Sequence, residues 1–233
     1  MRKIFIFIEK NKLISYFFMI SLFIIVSYIW TMEQPELFDG AEKIYNLFFQ
    51  LAIGYIINFM FYITQVYIPN ERKELTVKRC ISKRIEKLMD DMNESLSKLS
   101  SVYVGGDFRK SYTDEDLEKI FNNLRFSDKV NVLIASLTSK DKFVYYSVRD
   151  WLKKCISDTE KDIDNLYKYY SADISMDLME ILEAILNSKY HLRMKTLLSV
   201  PNDVNFSTSN QNFFIEYYHL IIKLENIKKK DYF

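Results

Sequence analysis

The chain has 233 residues, with 32 basic and 31 acidic side chains and a formal net charge of +1. That balance argues against binding through bulk charge alone. Its two cysteines, Cys80 and Cys155, have no CxxC or Cys/His spacing and so argue against a structural zinc site, while four glycines and three prolines point to a mainly helical protein.

Residues 1–12 carry Arg2, Lys3, Lys10 and Lys12. LISYFFMISLFIIVSYIW, Leu13 to Trp30, holds no charge, and about 18–20 such residues cross a hydrocarbon core. No small-residue cleavage site follows, so an uncleaved anchor is expected. A second apolar run, Ile44 to Ile68, would be about 37 Å long as a helix at 1.5 Å per residue. Pro69 predicts a break at its end. Trp30, Tyr45 and Tyr67 stand where interfacial aromatics belong.

Residues 13–69 thus read as a transmembrane hairpin. Its acidic loop, 31–43, holds Glu33, Glu36, Asp39 and Glu42 against Lys43. The segment after it holds Arg72, Lys73, Lys78, Arg79, Lys83 and Arg84. The positive-inside rule puts both termini in the cytoplasm and the loop outside, as in a multi-pass protein of a bacterial inner membrane.

The second run is polar on one side. At about 100° per residue, with Asn46 at zero, Gln50, Gly54, Asn58 and Gln65 fall within a third of the helix circumference. Ile57 and Phe61 share that face. Phe48, Leu51, Tyr55 and Phe59 lie elsewhere and suit lipid. An amide in hydrocarbon without a partner costs several kcal/mol. Two solutions exist. The stripe can pack on the first span or on another subunit, with Ser15, Ser21 and Ser27 reciprocating and Gly54 allowing close approach. Alternatively it lines a water-filled path, with Ile57 and Phe61 as a constriction and Asp39 and Glu42 at an acidic outer mouth. Either solution implies a homo-oligomer.

Residues 70–104 read as a long coupling helix, with Leu75, Ile81, Ile85, Leu88, Met92, Leu96 and Leu99 at three- and four-residue spacing. A coiled-coil-like stalk between subunits is one use for that stripe. Residues 105–233 read as a cytosolic helical domain. Gly105-Gly106 marks a turn rather than a phosphate loop. Thr113, followed by Asp114, Glu115 and Asp116, predicts a capped helix start. Further helices are expected over 127–137, 141–170, 175–198 and 211–227, the fourth of these after a polar loop, and Met176 to Leu186 marks the central one. The class is therefore all-α, a hairpin followed by a helical domain.

No catalytic constellation is visible. His191 and His219 stand in no metal or nucleophile motif. No enzyme, metal or cofactor is expected. Lys189, Arg193 and Lys195 accompany Tyr190 and His191, and Arg109 and Lys110 accompany Tyr112. Basic groups beside stacking rings suit a nucleotide or a single-stranded DNA oligomer; a companion regulatory protein is the other partner these patches suit.

The exit QVYIPNERK, Gln65 to Lys73, together with two spans and a helical domain, resembles small two-span bacterial membrane proteins. Some of similar layout are anti-phage effectors, such as Hailong-type DNA-gated channels. The resemblance covers topology and the span exit, about residues 13 to 79, and no ligand residue carries over. It implies an oligomeric channel whose helical domain senses a ligand. A membrane-tethered scaffold or sensor without conductance is the alternative.

Overall fold

The computed structural model describes residues 7–32, 34, 38–105, 111–134, 143–200 and 212–232. It divides into two units, 1–75 and 76–233. Arg109 and Lys110, and with them the basic part of the cluster near Tyr112, lie outside the described residues, as do Glu33 and Glu36.

In the first unit, α1 runs Lys12–Thr31 and α2 runs Ala41–Phe61. Both are long and apolar enough to cross a membrane. Gly40 precedes α2 at φ 84°, a left-handed conformation that other residues adopt only under strain. The two helices pack through aromatic rings. Phe18 stacks on Phe59 at 4.2 Å and Tyr28 on Phe49 at 4.3 Å. Ala52 and Phe59 are buried in that seam. Tyr55 donates a hydrogen bond to the Ile14 carbonyl at 2.8 Å, and Tyr62 donates to Asn11 Oδ1 at 3.0 Å. Most other large side chains face outward: Phe23 is 74% exposed and Trp30 86%.

The break expected at Pro69 is absent. The chain passes from α2 through a π-helical turn, Tyr62–Tyr67, into α3, Ile68–Tyr103. Proline has no N–H and its ring crowds the preceding turn. The wider turn absorbs that defect: the Ile68 N–H reaches back five residues to the Ile63 carbonyl. The helix therefore continues without interruption from Ala41 to Tyr103.

In the second unit, the apolar stripe of α3 is fully buried. Ile81, Ile85, Leu88, Met92, Leu96 and Leu99 all have zero exposure within the single chain. That stripe is core, so it cannot be the seam of a stalk between subunits; Leu75, expected on it, is 61% exposed. The helix α4, Asp114–Asn123, opens with a capping box: the Asp116 N–H donates to Thr113 Oγ1, and the Thr113 N–H donates to Asp116 Oδ2.

The helix expected over 127–137 gives way to a strand, β1 (Lys129–Leu133), which pairs antiparallel with β2 (Tyr145–Ser147), and the helix expected over 141–170 is present but begins only at Val148. Val130 turns into the core while its neighbours Lys129 and Asn131 stay exposed, the period of a strand and not of a helix. Ser147 caps α5, Val148–Tyr170, through the Asp150 N–H. The expected 175–198 helix is two, α6 (Met176–Leu186) and α7 (Lys189–Ser199). Ser188 divides them, its hydroxyl accepting from the His191 N–H as a new N-cap. The last helix, α8 (Phe213–Asp231), packs on α4, α6 and α7. α6, expected to be central, packs on α7 and α8 and buries Leu178, Ile181, Leu182 and Ile185. Trp151 is 3% exposed in this core.

Candidate functional site

The polar stripe of α2 lies on the side that α1 leaves uncovered. Asn46, Gln50, Ile57, Asn58, Phe61 and Gln65 are all exposed, and Gly54 is partly so. The covered side is set by Ala52, Tyr55 and Phe59, whose rings and hydroxyl meet α1. Tyr55 and Phe59 therefore face the partner helix rather than the surroundings; Phe48 and Leu51 remain exposed as expected.

Packing of the stripe on the first span is thereby excluded within one chain. Gln50 Nε2 donates to Asn46 Oδ1 at 3.4 Å, a pair one turn apart on the same face. Among the described residues nothing within 4 Å meets a Cβ placed on Gly54, so its small size serves no contact among them. The serines do not reciprocate either. Ser21 turns back to the Phe17 carbonyl of its own helix at 2.9 Å, and Ser15 Oγ is buried without a partner. Gln65 falls in the π-turn, where a constant 100° step no longer places residues, yet it too is exposed. At the other end, Asp39 and Glu42 are exposed, Glu42 in the first turn of α2, where a carboxylate suits the helix dipole.

The basic cluster of α7 is dispersed. Tyr190 is 1% exposed and stacks on Tyr217 at 3.9 Å in the core, so its ring is closed to a ligand. Burial pushes both phenols well up, opposed by the neighbouring hydroxyls of Ser95 and, for Tyr217, Thr159. Lys189 and Arg193 are exposed on one side of the helix, while Lys195 reaches Glu160 of α5 at 2.5 Å. His191, 2% exposed, brings Nε2 to the same carboxylate oxygen at 2.8 Å. The Lys195 and His191 contacts hold the Glu160 carboxyl below its ordinary range.

Comparison with known proteins finds no matching family model, curated protein or solved structure.

Among the described residues no group of three His, Cys, Asp or Glu side chains is placed to hold a metal. Burial pushes the Cys155 thiol up to about 12, which leaves it a poor nucleophile at neutral pH. The Glu160 junction with Lys195 and His191 was not legible in the sequence, because its partners lie 31 and 35 residues apart.

Proposed function

We propose that the chain is a two-span protein of a bacterial inner membrane that self-associates through α2 and forms a gated ion path. One observation carries this reading: the amide stripe is exposed on the side of α2 that α1 does not cover. In lipid those amides need another copy or water. A ring of copies supplies both. Asn46, Gln50, Asn58 and Gln65 then line the path, Ile57 and Phe61 narrow it, and Asp39 with Glu42 favours cations at the mouth. Both termini lie in the cytoplasm, as the flanking charges require. The helical domain is the sensor, and a ligand there gates only through unequal affinity for open and closed states. Ungoverned opening would depolarise a cell; the likeness to anti-phage channels makes a defence effector our reading of its role.

One observation favours the non-conducting scaffold instead. Gly54 is an open, small position at the centre of the stripe, which suits close helix packing between copies. Ion flux through liposomes holding the purified full chain separates the two. With a pore, Asn58→Leu and Phe61→Ala alter flux while the oligomer, measured by native mass spectrometry, persists. With a seam, no flux is seen and Asn58→Leu dissociates the oligomer; that result overturns the pore.

A further inference from the structure

The face of α5 toward α7 borders an open pocket of about 220 Å³. Lys153, Ser157 and Glu160 line it from α5 and Lys195 from α7, over a floor of Ile156 and Leu198. The floor is dry: Ile156 is 5% exposed and Leu198 7%. On α5 the lining positions follow helical spacing, 153, 156, 157 and 160, so one face of one helix supplies a base, a hydroxyl and an acid.

The charges are unevenly used. Glu160 is already met twice, by Lys195 and by His191. His191 Nε2 lies 2.8 Å from the Glu160 carboxylate, and its Nδ1 is buried with no hydrogen-bond partner among the described residues. Lys153 has no ion pair among the described residues. With the acid held from one side by the histidine, the pocket has two ammonium groups and one carboxylate, and its surplus is positive.

We propose that this pocket binds a phosphoryl group, as free phosphate or as the phosphate of a small monoester. Lys153 and Ser157 donate from one wall and Lys195 from the other, which suits an anion with several free oxygens. Ile156 and Leu198 take the organic stem of an ester. Glu160 keeps its bond to His191 when Lys195 turns to the ligand, so binding does not leave the half-buried carboxylate unmet. The site goes beyond the conducting reading and stands without it; if it is the sensor of that channel, binding is still read with no flux measurement.

The test is calorimetric titration of the full chain in detergent with inorganic phosphate and, separately, with glycerol 3-phosphate. Saturable binding is expected, weakened about tenfold by Lys153→Met, the loss expected for one charge-assisted contact. Lys154→Met is the control, because Lys154 removes the same charge from the neighbouring position, where it faces Asp158 and the Trp151 ring. Glu160→Gln should tighten binding by removing the one repulsive charge. Tighter binding of the ester than of phosphate assigns the floor to the stem; equal binding assigns the site to the phosphoryl group alone, and both support the proposal. No saturable binding of either anion, or equal losses from Lys153→Met and Lys154→Met, overturns it. Circular dichroism on each variant ensures that a loss of binding is not a loss of fold.

Discussion

The two units use the same kinds of residue in opposite ways. In the second, leucine, isoleucine and aromatic side chains turn inward, and six positions of α3 alone have no exposure at all. In the first, Leu13, Phe23, Leu51 and Trp30 turn outward, and the seam between α1 and α2 closes over small and aromatic residues such as Ala52 and Phe59. Water drives the first pattern. The second belongs to two helices that are long and apolar enough to cross a membrane. Polar groups show the same inversion. The domain buries the hydroxyls of Tyr190, Tyr217, Ser95 and Thr159, whereas the hairpin presents its amides outward.

The comparison breaks most visibly at matched apolar truncations. Leu88→Ala should destabilise the full chain by about 3 kcal/mol, because it opens a cavity in a close-packed core. Phe23→Ala should change the same thermal melt in detergent by less than about 0.5 kcal/mol, as surface changes do. Equal effects would mean that the outward face of α1 is a protein contact. Next in size is Tyr217→Phe, which removes a phenol hydroxyl buried beside Thr159 and Ser95. A loss of about 2 kcal/mol is expected in chemical denaturation. Tyr55→Phe removes the hydrogen bond to the Ile14 carbonyl. In an apolar solvent such bonds average about 0.6 kcal/mol, and the hairpin melt should shift accordingly.

A further effect depends on pH. Glu160 has its folded value below its ordinary 4.5, through Lys195 and His191. Its contribution is therefore complete above about pH 4.5, the unfolded value, and is lost as pH falls through the folded one. Melts of the wild type and Glu160→Gln should differ by less than about 1 kcal/mol near neutrality, since the group is partly solvated, and converge in acid. A difference that grew on acidification would reverse the sign and remove the ion pair from the account.

Where the sequence spoke through local pattern, it was legible. The two apolar runs, the long helix after them and the Thr113 cap each depend on residues a few positions apart. Pro69 misled because a proline's missing donor admits two remedies, a stop or a wider turn, and only tertiary context chooses between them. The Lys129–Leu133 strand was hidden by its brevity: five residues with one buried valine match a helix turn as well as a strand. The split at Ser188 needed the knowledge that its hydroxyl would cap. For the candidate site, the stripe was legible as a stripe, but not which side α1 would cover. That choice rests on Tyr55, Phe59 and Ala52 finding Phe18 and Ile14, a pairing across the hairpin.

The two tryptophans divide between the units, Trp30 at the exposed end of α1 and Trp151 inside the domain. The protein thus carries two natural fluorophores with different surroundings. Trp151→Phe leaves an emitter that brominated acyl chains should quench in liposomes. Trp30→Phe leaves one blind to lipid whose spectrum shifts red only when the domain unfolds. Insertion and unfolding can then be followed by colour and quenching on the same chain, with no added label.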